Sequence, residues 1–346
     1  MSLRDEESPG LELARLRPWF AETLPQARVG TLSATLVTGG KSNLTYRLTD
    51  GEATWILRRP PLGHVLATAH DMGREYAVMS ALADTPVPVP RLYGLCLDTG
   101  ILGAEFYVME AVDGRPYRTA ADLAPLGPGR VRRISGALVD TLADLHTVDP
   151  DAVGLGGFGR PEGFLARQVA RWRRQMGESY SRDLPDAVAL HAALEERAPA
   201  ADSAARPGIV HGDFRLDNVL VDSGDRLRAV IDWELATVGD PVTDLALMLL
   251  YTRLARLVGP SIAPDAGDAP GFLSEKEVIA RYAARSGRDL GDLGFHLGLA
   301  AFKLAAILEG VHYRHLSGQT VGPGFDRIGE AIHPLLHAGL VALKEH

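Results

Sequence analysis

The sequence is poor in features that are typical of secreted, membrane-spanning and nucleic-acid-binding proteins. Its 346 residues include one cysteine, Cys96, so an intrachain disulfide is excluded and a reducing compartment is favoured. The formal net charge of −8 argues against a nucleic-acid ligand. The first residues carry no apolar core of a signal peptide. The most apolar window, 293–311, is interrupted by His296, Lys303 and Glu309, which indicates a packed helix and not a membrane span. We therefore expect a cytoplasmic protein that binds neither membranes nor nucleic acid.

The most informative pattern combines an aspartate, an asparagine and a second aspartate. Asp213 and Asn218 follow the short apolar run 208–210, and Asp232 ends a second apolar run, 229–231. Oxygen ligands suit a hard cation such as Mg²⁺, which retains waters and substrate phosphates. The spacing matches the kinase loop H-x-D-x-x-x-x-N and its later metal-binding Asp. It predicts Asp213 as the base that takes the acceptor's proton, and Asn218 and Asp232 as Mg²⁺ ligands.

Each residue of this region also has a simpler interpretation. Isolated Asp and Asn residues favour turns, and a His before Gly-Asp, here His211, is more often a buried orienting residue than a catalyst. Asp240 before Pro241 is typical of a helix N-cap. Asp244 is expected to brace the catalytic loop from behind. The order and spacing of the full set favour the catalytic interpretation.

Two segments, HGDFRLDNVL from His211 and VIDWELATVGDPVTDLA from Val230, carry a specific resemblance. They resemble the aminoglycoside phosphotransferase and choline kinase group of small-molecule kinases, and most of all the kinase-like domains associated with acyl-CoA dehydrogenases. The resemblance extends from about Leu36 to Leu250. It implies an α+β, protein-kinase-like two-lobe fold, with ATP and Mg²⁺ as cofactors.

The resemblance also implies the division into lobes. Residues 1–110 would form a small antiparallel-sheet lobe that binds the nucleotide, and residues 111–346 a larger, mainly helical lobe for catalysis and substrate. The boundary is expected near Ala111, where main chain around Glu110 and Val112 would meet the adenine.

A glycine-containing loop is predicted between two strands of the first lobe, 35–38 and 44–48, and an Asp50-Gly51 turn leads to a third strand, 54–57. Glycines there would let backbone N–H groups approach nucleotide phosphates, although Gly-Gly is also an ordinary turn. The candidate cofactor-binding residues of this loop are Gly39, Gly40, Ser42 and Asn43.

The third strand ends at an arginine where kinases carry a lysine for the α- and β-phosphates. We prefer Arg58 to Arg59 for this position. Because arginine is not interchangeable with lysine at a fixed site, we expect the change to affect the rate of phosphate transfer more than nucleotide binding. Helix periodicity over 67–84 places Glu75 beside an apolar stripe, so the acid needs a partner. Arg58 is the expected partner, and a surface pair with Arg74 is the alternative.

The second lobe is expected to be mainly helical. A flexible loop is predicted over the Pro-, Gly- and Asp-rich stretch 260–271. Helices are predicted over 131–146, 179–205, 274–285 and 293–315.

These patterns predict an ATP- and Mg²⁺-dependent phosphotransferase that acts on a hydroxyl of a small molecule. Eleven residues separate Asp232 from Asp244, too few for an activation loop with its Ala-Pro-Glu signal, so a protein substrate is disfavoured. A polycationic aminoglycoside would need an acidic pocket. From Pro260 onward the sequence has ten Asp and Glu and eight Lys and Arg, and this near balance gives no support for such a substrate. The resemblance makes a hydroxyacyl compound the expected acceptor.

Two other classes are weighed against this prediction. A catalytically silent nucleotide-binding module is supported by Arg58 alone, and it does not need a base such as Asp213. A metal hydrolase would need a dense His/Asp cluster, which the sequence lacks.

Overall fold

A computed structural model describes residues 9–37, 43–62, 71–259, 263–320 and 325–345. The chain forms two compact units. The first is Met1–Gly114 with Arg228–Ala236, and the second is Arg115–Leu227 with Thr237–His346.

The first unit is built on a five-stranded antiparallel sheet with strand order β1-β2-β3-β5-β4. Its core combines the inner face of that sheet with the first helix, and Phe20 and Trp55 meet edge to face at its centre. The elements are α1 (Leu13–Thr23), β1 (Ser33–Leu36), β2 (Leu44–Thr49), β3 (Thr54–Arg59), α2 (Met72–Leu82), β4 (Leu92–Cys96), α3 (Thr99–Leu102) and β5 (Phe106–Glu110).

The predicted Asp50-Gly51 hairpin joins β2 to β3. Gly51 adopts a φ of 95°, a left-handed conformation that glycine tolerates without strain. Hydrogen bonds from the backbone N–H groups of Ala53, Arg28 and Glu52 lower the pKa of Asp50 to about 2. The turn therefore fixes the register that brings the end of β3, with Arg58, to its place in the sheet.

The segment Arg228–Ala236 belongs to the first unit although it lies far along the chain. The backbone N–H of Val230 donates to the carbonyl of Pro88 at 2.8 Å, and Trp233 is 1% exposed. The expected division at residue 110 differs from these units, because the observed boundary follows Gly114 and the segment with Asp232 joins the first unit. Long-range packing of this kind leaves no local signal in the sequence.

The second unit is mainly helical, so the fold is the α+β arrangement that the sequence predicted. Strands β6 and β9 pair antiparallel within it. Its elements are α4 (Ala120–Leu123), α5 (Pro128–Thr147), α6 (Phe164–Gly177), α7 (Pro185–Ala204), β6 (Gly208–Val210), β7 (Val219–Val221), β9 (Thr237–Gly239), α8 (Val242–Val258), α9 (Glu275–Ser286), α10 (Leu293–Leu316) and α11 (Ile332–Glu345), and β8 (Leu227–Val230) runs across the boundary between the units.

Helix α10 is the central helix of the second unit, and among the described residues it is the one helix long and apolar enough to cross a membrane. Its most apolar window is 72% buried, as in a core helix. The three residues that interrupt its apolar run all have partners. His296 contacts Asp240, Lys303 donates to a backbone carbonyl, and Glu309 accepts from Ser181. The prediction of a packed core helix is confirmed.

The buried pair His296–Asp240 makes stability depend on pH. Burial opposes the charge on His296, but the 2.7 Å contact with Asp240 raises the pKa of His296 above its usual value. A raised pKa in the folded state stabilises below the unfolded pKa, and that contribution is lost as pH rises through the folded value.

We expect His296→Gln to lower the free energy of unfolding by about 1.5–3 kcal/mol at pH 6 and by less at pH 9. Thermal melting across this range measures the difference, with the exposed His333→Gln as the control. An equal loss at both pH values would contradict the charged pair.

Candidate active site

The predicted residues are divided between the two units. Asp213 and Asn218 belong to the second unit, and Arg58, Glu75 and Asp232 belong to the first.

The predicted catalytic loop, residues 211–218 (hereafter the catalytic loop), begins where the buried strand β6 ends. Gly212 has a φ of 87°, so the chain turns in a conformation that disfavours residues with a Cβ. Phe214 is fully buried and anchors the loop, and Leu216–Asn218 forms a short 3-10 turn. The functional side chains on either side of Phe214 are thereby held on ordered backbone.

Asp244 on α8 fixes the backbone of this loop. Its carboxylate accepts the N–H of His211 at 2.6 Å and the N–H of Gly212 at 2.8 Å. Burial opposes the charge, but hydrogen bonds from His146 and from the His211 backbone lower the pKa of Asp244. Burial lowers the pKa of His146, whose ring contacts the Tyr282 hydroxyl through Nδ1 at 2.7 Å and Asp244 through Nε2 at 3.3 Å. The expectation that Asp244 braces the loop is confirmed.

Two further residues hold the same turn from opposite sides. His211 is fully buried and its Nδ1 accepts the N–H of Asp213 at 3.2 Å, the geometry of an orienting residue. Lys303 on α10 donates to the carbonyl of Gly212 at 2.8 Å, with its ammonium 5.6 Å from the ring centre of Trp172. Burial lowers the pKa of Lys303, against the charges of Asp213 and Asp244. The loop backbone is therefore bound at its N–H groups and at a carbonyl.

The Asp213 carboxylate is held by one donor on each oxygen. Asn218 Nδ2 donates to Oδ2 at 3.1 Å and to the Asp213 carbonyl at 2.9 Å. The hydroxyl of Tyr251 donates to Oδ1 at 2.8 Å. Because the amide nitrogen of Asn218 is used in both bonds, its amide oxygen is the atom left for a cation. The second unit thus holds the Asp213 carboxylate, the predicted base, in a fixed orientation next to the Asn218 amide.

The first unit contains a compact cluster of charges around Arg58. Its guanidinium lies 3.1 Å from Glu75 Oε2, 2.5 Å from Asp232 Oδ1 and 4.0 Å from Glu234 Oε2. The expected ion pair between Arg58 and Glu75 is present. Arg59 is used elsewhere and donates to the carbonyls of Gly10 and Leu102, which agrees with the preference for Arg58.

Glu75 is enclosed within this cluster, with 1% of its side chain exposed. Burial raises the pKa of Glu75 to about 7, against Arg58 and the Tyr107 hydroxyl, which donates at 2.9 Å. Asn43, a predicted cofactor-binding residue, donates to Glu75 Oε1 and Glu234 Oε2 at 3.1 Å each. In this structure Asn43 therefore supports the charge cluster.

Asp232 has a left-handed backbone, with φ 69° and ψ 59°, and its side chain is 29% exposed. Strain of this kind in a residue other than glycine is concentrated at functional sites. The described residues contain no group of three or more His, Cys, Asp or Glu suited to a metal. The prediction that Asp232 and Asn218 bind Mg²⁺ joins residues of the two units and stays a prediction.

The remaining predicted residues are placed only in part. Glu110 ends β5, and its side chain accepts the N–H of Arg91 at 3.3 Å. Val112 follows it as a half-buried residue. Gly39, Gly40 and Ser42 lie outside the described residues. The proposed adenine and phosphate contacts of these five stay predictions.

Sequence reasoning assigned no role to four residues of the two clusters: Tyr251, Lys303, Tyr107 and Glu234. Tyr251 lies seven residues after Asp244, so helical periodicity would place both on one face of α8. Lys303 is a cation within the apolar stretch 293–311 of α10, a signal that a buried partner is required. Tyr107 gave no comparable signal, because an aromatic residue in a buried strand is ordinary core.

A loop in which His211, Asp213 and Asn218 have the spacing of kinases, on this α+β fold, defines the class of kinase-like phosphotransferases. Residues 33–315 match the model of the phosphotransferase enzyme family, and the chain belongs to that family.

Relatives and solved structures agree with the family. Acyl-CoA dehydrogenase family member 11 from Gallus gallus is 36% identical over 351 residues, covering 98% of this chain but 44% of the relative. The chain thus spans less than half the length of that relative. A Ralstonia eutropha structure, assigned by inference as an aminoglycoside phosphotransferase, has a TM-score of 0.83 and 31% identity, covering 96% of this chain and 98% of the other. Choline kinase from Cryptosporidium parvum shares the fold, with a TM-score of 0.67, 14% identity and 96% of each chain covered.

Removing the Asp244 carboxylate tests its structural role. Asp244→Ala leaves two backbone N–H groups and His146 without their acceptor, so we expect a loss of at least about 2 kcal/mol in the free energy of unfolding. Denaturant unfolding measures the loss, with the exposed Asp183→Ala as the matched control. Equal stability of the two variants would contradict this role.

Proposed function

We propose that this protein transfers the γ-phosphate of ATP, with Mg²⁺, to a hydroxyl group of a small molecule. The observation that carries the proposal is the Asp213 carboxylate, held by Asn218 and Tyr251 on a loop whose backbone Asp244 anchors. A carboxylate that is fixed and still has free lone pairs is suited to accept the acceptor's proton.

The remaining site residues bind the metal ion, the phosphates or the nucleotide in this proposal. Asn218 and Asp232 bind Mg²⁺, which would neutralise charge on the phosphates when bound. Arg58 orients Glu75 and Asp232 and stands where the lysine of other kinases contacts the phosphates. The proposed nucleotide contacts are completed by Gly39, Gly40, Ser42, Asn43, Glu110 and Val112.

A hydroxyacyl compound is the acceptor that we propose. The curated relatives that align along nearly the whole chain are named as acyl-CoA dehydrogenases, so this chain corresponds to a part of proteins with acyl substrates in their names. The short connection from Asp232 to Asp244 has no room for the activation loop of a protein kinase.

One observation favours a second function, that of a silent nucleotide-binding module. Arg58 lies 2.5 Å from Asp232, so a cation already occupies one oxygen of the proposed metal ligand. An active enzyme would have to share this carboxylate between Arg58 and Mg²⁺. The two variants below separate these functions.

Asp213→Asn tests the base. The change keeps size and shape but removes the proton acceptor, and general-base assistance is worth on the order of 10²–10⁴-fold. We expect ATP·Mg²⁺ affinity within a few-fold of wild type and turnover lower by roughly a hundredfold or more. ATP hydrolysis by water serves as the assay until the acceptor is known. Wild-type turnover in this variant would overturn the assignment of the base.

Asp232→Asn tests the metal ligand. Asparagine tolerates the left-handed backbone at this position, so the fold is retained while a charged ligand is lost. We expect ATP affinity to lose most of its dependence on Mg²⁺, measured by calorimetric titration with and without the ion. Thermal melting serves as the folding control. An unchanged Mg²⁺ dependence would show that Asp232 does not bind the ion.

A further inference from the structure

Tyr251 contacts the proposed base although no sequence motif includes it. It lies on α8, and its hydroxyl donates to Asp213 Oδ1 at 2.8 Å. Asp244, which anchors the loop backbone, lies two helical turns earlier on the same helix. One helix therefore holds both the main chain of the catalytic loop and the side chain of Asp213.

The ring of Tyr251 is held in place by an ion pair. The Arg215 guanidinium lies 4.6 Å from the ring centre, and it pairs through two nitrogens with Asp217. Asp217 adjoins Asn218 in the 3-10 turn Leu216–Asn218. Both donors to the Asp213 carboxylate are thus coupled to this single turn.

The Tyr251 hydroxyl stays protonated and serves as a donor. Burial and the charge of Asp213 raise the pKa of Tyr251, against the neighbouring guanidinium of Arg215. A protonated phenol that donates to a carboxylate does not compete with it for the acceptor's proton. The base and the donor therefore have separate tasks.

Tyr251 also lines a pocket with about 440 Å³ of empty space that includes open solvent. Most of the wall is apolar, with Leu138, Met248 and Phe272 among its residues, and Arg215 also contributes. Tyr251 therefore lines the pocket, and its hydroxyl donates to Asp213, the proposed base. A molecule that enters this pocket would meet the residue that orients Asp213.

We propose that Tyr251 is a positioning residue, which fixes the Asp213 carboxylate in the orientation needed for proton transfer from an acceptor. The proposal rests on the proposed function, because it requires Asp213 to act as the base. Without the Tyr251 hydroxyl, Asn218 still donates to Oδ2 of Asp213, but Oδ1 has lost its donor. The carboxylate can then rotate away from the productive orientation. Small losses of orientation are costly in rate while substrate binding is kept.

Tyr251→Phe removes the hydroxyl and keeps the ring against Arg215. We expect kcat for ATP hydrolysis to fall roughly tenfold or more, because a hydrogen bond to a charged group is lost. KM for ATP·Mg²⁺ should stay within about twofold, since the nucleotide residues are unchanged. A wild-type kcat in this variant would overturn the proposal.

A double-mutant cycle distinguishes positioning from a general effect on the fold. If Tyr251 acts through Asp213, Tyr251→Phe should have little further effect on kcat in an Asp213→Asn background. Equal loss in both backgrounds would show that Tyr251 acts independently of the base, which contradicts the proposal. If the wild-type protein shows no turnover, the proposed function fails. If Asp213→Asn keeps wild-type turnover, the assignment of the base fails. If only Tyr251→Phe keeps a wild-type kcat, the positioning role alone fails.

The control is Tyr46, which has no contact with the catalytic loop among the hydrogen bonds described. Tyr46 is fully buried in the first unit, and its hydroxyl donates to the carbonyl of Pro9. Tyr46→Phe therefore removes one tyrosine hydroxyl and one hydrogen bond, as Tyr251→Phe does. We expect melting temperatures lowered to a similar extent in both variants, but a lower kcat only for Tyr251→Phe. A similar fall in kcat for Tyr46→Phe would assign the effect to stability.

Discussion

The buried carboxylate of Asp244 is the interaction on which the catalytic loop depends. It accepts two successive backbone N–H groups, those of His211 and Gly212, and so fixes the turn that presents Asp213. A charge with 1% of its side chain exposed is tolerated only when its oxygens are satisfied. Here His146 supplies a further donor, and Tyr282 sets the ring of that histidine. Asp244, which has a structural role, thereby positions Asp213, the proposed base.

In the first unit, the central charged group is a cation that is satisfied by surrounding carboxylates. One arginine, Arg58, is surrounded by three carboxylates, and the most buried of them, Glu75, is also bound by Asn43 and Tyr107. Arginine suits this role because its planar group presents several donors and cannot lose its proton. A lysine at this position would serve as a point charge. The guanidinium therefore lies against Asp232, the proposed metal ligand, as well as against Glu75.

The sequence predicted the parts of the molecule that local pattern determines. The hairpin at Asp50-Gly51, the core helix α5 and the bracing role of Asp244 were all predicted from spacing and residue type, and the structure contains them. The contacts of Tyr251 and Lys303 were not predicted, because they join helices to a loop that is distant in sequence. The grouping of Asp232 with the first unit likewise arises from packing around Trp233 and Val230. Such long-range contacts have no period in the sequence.

Detection of the phosphorylated product tests the central claim most directly. Wild-type protein would be incubated with ATP·Mg²⁺ and a panel of hydroxylated acids and their thioesters, followed by phosphorus NMR of the products and a parallel assay of ADP. The account predicts a phosphate monoester formed in equal amount to the ADP released above basal hydrolysis, with at least one acceptor. Tight binding of ATP·Mg²⁺ with neither ADP nor phosphate ester above the enzyme-free blank would contradict it and favour a silent binding module.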